Sequence, residues 1–150
     1  MTSTTSTSYV TVTAASRSVS LRRALGTGAA AGVLAAIINL AVSAFAHGPL
    51  DASDDFTPLT PGPIVMWTIL GALLGAVGWR RIVNSSDHSR RVLRKLVPTV
   101  LALSFIPDIA LLSTDKLAGQ TTAAVLSLMA MHVLTAAIVV TAYRRSMPPA

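Results

Sequence analysis

The sequence predicts an all-α membrane protein with the fold of a four-helix transmembrane bundle. Three observations support this prediction. Of the 150 residues, 52% are hydrophobic and only 12% are charged, which is about half the charged share of an ordinary soluble domain. Four long runs carry almost no charge, and basic residues flank these runs in an alternating pattern. This number of charges is too small to cover the surface of a soluble domain, and lipid is therefore the expected solvent.

Each apolar run has the length and composition of one membrane-spanning helix. The predicted spans are approximately residues 24–46, 63–79, 96–113 and 121–143. A helix over the 23 residues of the first run measures about 34 Å, which exceeds a hydrocarbon core of about 30 Å. Backbone polar groups in lipid must pair within their own segment, and no alternating β-barrel pattern is present, so these runs should be helices.

The two ends of the chain differ in composition from the predicted four-span domain, residues 21–145. Residues 1–20 are rich in Ser and Thr and have no apolar period, which predicts a disordered cytoplasmic tail. Residues 146–150 form a second, short cytoplasmic tail. An alternative interpretation makes the first run a signal peptide cleaved after Ala44-Phe45-Ala46. The length of that run favours a retained helix.

The distribution of charge predicts the orientation. Of the 12 Lys and Arg residues, 11 lie in the middle loop or toward the two ends of the chain, outside the uncharged runs, whereas the alternate loops hold only Lys116 together with Asp51, Asp54, Asp55 and Asp115. Basic loops remain cytoplasmic, so we expect both termini inside a bacterial plasma membrane. This role accounts for the net charge of +6 without a nucleic-acid partner. Six basic residues of the middle loop should contact anionic lipid head groups: Arg80, Arg81, Arg90, Arg91, Arg94 and Lys95.

The composition also restricts the chemistry that the chain can perform. It has no cysteine, which excludes disulfides, thiolate metal sites and cysteine nucleophiles. The sequence contains no phosphate-binding loop, dinucleotide fingerprint, Ser-His-Asp order or HExxH motif. We therefore predict a non-enzymatic protein with no cofactor and no structural metal.

Stripes of small residues predict how the helices pack. Helices associate in lipid through close contacts of small side chains and through shared polar groups. Gly28 and Gly32 lie on one face of the first span, and Gly71, Gly75 and Gly78 lie on one face of the second. These faces are expected to point inward. The spacing of Gly28 and Gly32 and of Gly71 and Gly75 also matches a dimerisation pattern, which leaves open a homo-oligomer or a complex with another membrane protein.

A cluster of polar residues at depth is the candidate functional site. It consists of Asn39, Ser104, Asp108, His132 and Thr135. An ionisable group at the bilayer centre costs roughly 2.5–3.5 kcal/mol on insertion scales, so Asp108 and His132 should pair inside the bundle. Pro107 removes a backbone donor and predicts a kink beside Asp108. The favoured interpretation is a structural cluster in an accessory or structural membrane component. The alternative is a small transporter or proton-coupled permease.

Two groups of residues have side chains that suit metal ions, and neither favours a metal site. Met129 and Met131 beside His132 supply ligands that suit Cu(I), but neighbouring positions on one helix point to different faces. The first outer loop offers a histidine and three carboxylates in a spacing that matches no regular calcium loop. The Pro-rich residues 56–63 are expected to lie as an extended cap across the bundle. Trp67 and Trp79 suit the two aromatic belts of a membrane protein.

Four sequence segments resemble the recurring motifs of an uncharacterised family of small bacterial four-span membrane proteins. They are Phe56-Thr-Pro-Leu-Thr-Pro, Gly71-Ala-Leu-Leu-Gly-Ala-Val-Gly-Trp79, Leu103-Ser-Phe-Ile-Pro-Asp108 and Leu128-Met-Ala-Met-His132. The resemblance covers roughly residues 24–143. It implies the four-span topology and supplies no activity, substrate or catalytic residue.

Overall fold

The computed structural model describes residues 18–114 and 117–150, and these residues form helices without any strand. The elements are α1 (Leu21–His47), a 3-10 turn (Thr57–Leu59), α2 (Pro61–Ser85), α3 (Ser89–Ser104), α4 (Ile106–Leu112) and α5 (Thr122–Ser146). Most of the predicted N-terminal tail, with Arg17, lies outside the described residues. So do Asp115 and Lys116 of the last loop.

Four spans are long and apolar enough to cross a membrane, which confirms the predicted transmembrane bundle. They are α1, α2, the pair α3–α4 over Ser89–Leu112, and α5. Short connections make successive spans antiparallel, so Val19 and Ala150 lie at the same end of the bundle. We call this end the terminal end and the opposite end, which holds the connections after α1 and α4, the distal end.

The second and third spans are longer than the sequence predicted. Helix α2 continues through Arg80 and Arg81 to Ser85, and α3 begins at Ser89 instead of near residue 96. The predicted basic loop is therefore helical except for residues 86–88. Arginine and lysine are strong helix formers, so a charge run marks where a helix leaves the apolar layer and not where the helix ends.

Helices α1 and α2 pack with their backbones in close approach. A Cβ atom added to Gly28 would lie 2.8 Å from the Cβ of Ala76 and 3.1 Å from the carbonyl oxygen of Ala72. A Cβ atom at Gly32 would lie 3.0 Å from the Cβ of Ala72. The glycine face of α1 thus meets the alanine face of α2, and only hydrogen atoms fit between the two helices at these points.

The predicted packing role of Gly71 and Gly78 is wrong within this chain. A Cβ atom at either position would meet no other atom within 4 Å. Helix α2 instead buries Ala72 and Ala76. Ala72 directly follows Gly71 and therefore lies about 100° around the helix from it. Gly71 and Gly78 face a cavity.

The terminal end has its own apolar core around Trp79. The indole Nε1 donates a hydrogen bond of 2.9 Å to the carbonyl oxygen of Met147, and the Trp79 ring lies beside the Tyr143 ring. Trp79 is only 4% exposed, so the prediction that it lies in an aromatic belt is wrong, whereas Trp67 is 63% exposed. The Tyr143 hydroxyl donates to the carbonyl oxygen of Ala72.

The residues next to the chain ends are bound to this core, although the sequence analysis placed them in tails. The Val19 amide donates to Asn84 Oδ1 over 2.8 Å, and the Ala150 amide donates to Ser89 Oγ over 2.8 Å. Val19 and Met147 are buried. The folded domain therefore extends a few residues beyond both predicted boundaries, because these residues satisfy polar groups at the ends of α2 and α3.

The distal end has a second apolar core, built around the loop between α1 and α2. Phe56 and Leu59 are fully buried there, and Ser43 Oγ donates a 2.6 Å hydrogen bond to the Leu59 carbonyl oxygen. The prediction of an extended cap over this segment is wrong. Residues Thr57–Leu59 form a 3-10 turn, since Pro58 suits the start of a helical turn. The turn directs Leu59, its last residue, and the preceding Phe56 inward.

Candidate functional site

The structure divides the predicted polar cluster into two parts, and Asn39 is the centre of the first. Its side-chain Nδ2 donates to Thr68 Oγ1 over 3.0 Å and to Thr135 Oγ1 over 2.9 Å. One amide thus joins α1, α2 and α5. Asn39 is 2% exposed. Polar links between helices contribute roughly 0.6 kcal/mol each in membrane proteins, so this part stabilises the helix register modestly.

Asp108 and His132 form the second part, which joins α4 to α5. His132 Nδ1 lies 3.2 Å from Asp108 Oδ2 and 2.9 Å from the carbonyl oxygen of Leu128. A carbonyl oxygen can only accept, so Nδ1 carries a hydrogen and donates it to Leu128. The structure therefore brings the two ionisable groups together, but the histidine hydrogen is directed at the backbone of its own helix.

A break in the third span positions Asp108. Helix α3 ends at Ser104, α4 begins at Ile106, and Phe105 lies between them. Pro107 has no N–H for a carbonyl in the preceding turn, so the ladder of helical hydrogen bonds is interrupted there. The ladder resumes where the Ile109 amide donates to the Phe105 carbonyl oxygen over 2.8 Å. The break turns the Asp108 side chain into the bundle, where it is buried.

Both parts of the cluster lie on the wall of one cavity, which we call the lateral cavity. It occupies about 860 Å³ between α2, α3–α4 and α5. It runs from Pro58 near the distal end to Leu93 near the terminal end. The polar residues on its wall include Asn39, Thr68, Ser104, Asp108, His132 and Thr135. The volume falls within the range of about 300–1,000 Å³ found for sites that bind small molecules.

The third span leaves this space because it packs loosely. Only 6% of its apolar window is buried, compared with 39% for α1. Several of its long apolar side chains are exposed and do not line the cavity, among them Leu103, Ile106 and Ile109. Most of the cavity lining is aliphatic or aromatic. The arrangement suits an apolar body that fills the space beside a few polar groups.

Two buried oxygen atoms on this wall lack hydrogen-bond partners among the described residues. They are Asn39 Oδ1 and Asp108 Oδ2. A buried polar group without a partner costs roughly 1–3 kcal/mol by mutational measures, and a carboxylate costs more. Ser104 does not relieve the cost, because its Oγ donates to the Leu101 carbonyl oxygen of its own helix over 2.7 Å.

Thr68 belongs to the first part of the cluster, and the sequence analysis did not include it there. The signal that could have identified it is the chemistry of Asn39, whose amide has two donor hydrogens and therefore needs two acceptors. Thr135 supplied one of them, and a second hydroxyl on another helix was required.

The residues weighed as metal ligands do not converge. Among residues 18–114 and 117–150, no three His, Cys, Asp or Glu side chains lie close enough to hold one metal ion. His47 Nε2 lies 3.8 Å from Asp54 Oδ1, and its Nδ1 lies 2.8 Å from the Ser43 carbonyl oxygen. Met131 is 5% exposed within the distal core. The methionine therefore fills apolar space.

Four apolar helices around internal polar groups define this chain as a multi-pass α-helical membrane protein. Over residues 14–149 it matches the Family of unknown function DUF6069. The chain belongs to that family, which confirms the resemblance to an uncharacterised family of four-span membrane proteins. No curated protein and no solved structure shows significant similarity to it. The match covers all four spans and both parts of the polar cluster.

Proposed function

We propose that the protein is a non-enzymatic membrane component that binds a small amphiphilic molecule from the bilayer in the lateral cavity. The observation that carries this proposal is the combination of a large apolar cavity with unpartnered buried oxygens on its wall. A purely structural cluster would be expected to satisfy its own polar atoms. The bonds from Asn39 Nδ2 to the two threonines form such a structural link, whereas Asn39 Oδ1 and Asp108 Oδ2 are left without a partner in the described part of the chain.

Partly filling the cavity should weaken binding strongly. Gly71 lines the cavity and has open space where a side chain would lie, so Gly71→Phe would place a ring in the cavity without disturbing a helix contact. With the protein in liposomes that contain a photoactivatable long-chain alcohol, we expect labelled peptides from α3 and α5 in the wild type. Gly71→Phe should reduce this labelling to about one tenth, because a blocked site loses most of its apolar contact area.

Gly26→Phe is the matched control for this experiment. Gly26 is also a helical glycine with no atom within 4 Å of an added Cβ, but it lies on the opposite side of the bundle between α1 and α5. The control variant should retain wild-type labelling of α3 and α5. Equal labelling of the wild type and Gly71→Phe at the cavity-lining residues would contradict the proposal.

A proton-coupled permease is a second candidate, which the helix break beside Asp108 and His132 favours. A break next to an ionisable pair could allow a span to move when the pair gains or loses a proton. This function requires proton flux into liposomes that Asp108→Asn abolishes. Labelling of the cavity without any such flux would support binding alone.

We also propose that both termini lie in the cytoplasm of a bacterial cell and that the membrane is the plasma membrane. The support is the charge at the two ends of the bundle. The basic residues of α2 and α3 lie at the terminal end, and all are exposed except Arg80, which is partly buried and donates to the Val19 carbonyl oxygen. Asp51, Asp54 and Asp55 are exposed at the distal end. We include contact of the terminal basic residues with anionic lipid head groups in this proposal.

Cysteine labelling tests the orientation cleanly because the chain has no cysteine of its own. Ser85→Cys reports the terminal end and Asp54→Cys reports the distal end, and both positions are exposed. In intact bacterial cells, a membrane-impermeant maleimide should label Asp54→Cys, whereas Ser85→Cys should react only after the cells are opened. The reverse result would overturn the proposed orientation.

A further inference from the structure

The charges around the lateral cavity distinguish among the amphiphiles that could enter it. Asp108 is the one carboxylate within the four described spans, and it is 4% exposed. The arginines and the lysine of the described spans lie at the terminal end, in the first turns of α1, the last turns of α2 and α5, and the first two turns of α3. No permanently charged cation therefore lines the cavity at the level of Asp108.

The neighbouring histidine does not provide Asp108 with a hydrogen bond. Its Nδ1 hydrogen is directed at the Leu128 carbonyl oxygen, and Asp108 accepts no hydrogen bond from the described residues. Asn39 Oδ1 is a second buried acceptor without a partner in the part of the chain that the structure describes, and Asn39 also lines the cavity. Both unpartnered atoms are acceptors. A ligand head group that donates hydrogen bonds would satisfy them, whereas a carboxylate or a carbonyl head group would not.

We propose that the ligand of the lateral cavity is a lipophilic amine, with a protonated amino group at Asp108 and an apolar body between α2, α3 and α5. This inference rests on the proposed function and names the ligand class. A protonated amine supplies several hydrogen-bond donors and a positive charge to balance the Asp108 carboxylate. Hydrogen bonds that involve charged groups are about twice as strong as neutral ones. The apolar remainder of the cavity accommodates the hydrocarbon part.

The test compares three photoactivatable probes that share one chain length and differ only in the head group: a primary amine, an alcohol and a carboxylic acid. In liposomes that contain the wild-type protein, we expect the amine to label the cavity at least about tenfold more efficiently than the alcohol. The acid should label it least. The neutral variant Asp108→Asn should lose the preference for the amine while the alcohol still labels the cavity.

Two further variants separate folding from recognition. Asp108→Glu retains the carboxylate and should preserve the amine preference, and unchanged alcohol labelling of Asp108→Asn shows that the site remains folded. If all three probes labelled the cavity equally and Gly71→Phe removed that labelling, the amine inference would be overturned and cavity binding would stand. Failure of every probe to label the cavity would instead overturn the proposed function itself.

Discussion

Replacing Gly28 with leucine should separate α1 from α2 and lower the stability of the bundle more than any lipid-facing substitution. An added Cβ would already lie 2.8 Å from the Cβ of Ala76 and 3.4 Å from the Cα of Leu73. These are atoms fixed to a backbone, so no rotamer change relieves the overlap. Overpacking of this kind costs about 1–3 kcal/mol. We therefore expect a clear drop in the thermal unfolding midpoint in detergent, measured by circular dichroism at helical wavelengths.

Gly26→Leu provides the control for this expectation on the same helix. A Cβ atom there meets nothing within 4 Å, and leucine has a higher helix propensity than glycine by nearly 1 kcal/mol. The control variant should therefore unfold at the wild-type temperature or slightly above it. If Gly28→Leu and Gly26→Leu unfolded at the same temperature, the close approach of α1 and α2 would be wrong.

The number of spans and the proximity of Asp108 and His132 could be predicted from the sequence because each depends on a strong energetic rule. Uncharged runs of sufficient length must be helical in lipid, and an ionisable group at depth needs a partner. The position of the break near Pro107 follows equally from a missing backbone donor. These features require only the local sequence and the identity of the solvent.

The face that α2 turns toward α1 could not be predicted in the same way. Gly71 and Gly78 share a helical face, but so do Ala72 and Ala76, and both pairs are small enough to allow close packing. Nothing in the sequence of α2 alone chooses between the two faces. The choice follows from the partner, because α1 offers Gly28 and Gly32 and the alanine methyl groups of α2 fill the space above them.

The loop between α1 and α2 was misjudged for a different reason. Its prolines indicated an irregular segment, and irregular segments at a membrane surface are usually exposed. The segment nevertheless carries Phe56 directly before a single 3-10 turn and Leu59 as the last residue of that turn, which lets both side chains enter the bundle together. The burial of a loop residue depends on whether the helices leave space beneath it, and that depends on how four spans meet.

Phe56→Ala is expected to have the other large effect, because it removes the largest fully buried side chain of the described chain. Truncation of a buried phenylalanine typically costs about 3–5 kcal/mol, since the contacts are lost and a void remains. The loss should destabilise the distal core, in which Phe56 packs with Ala52, Ile64 and Val125. Thermal unfolding in detergent and the rate of proteolysis in the distal loops would both report it.

Phe45→Ala is the matched control, since Phe45 lies at the same end of the bundle but is 57% exposed. That variant removes the same atoms from a lipid-facing position, so its stability should stay close to that of the wild type. The comparison also bears on the cavity, because the turn that follows Phe56 contributes Thr57 and Pro58 to the cavity wall. If Phe56→Ala unfolded at the same temperature as Phe45→Ala, the packing of Phe56 in the distal core would be wrong, and that core would not hold the turn that places Thr57 and Pro58 on the cavity wall.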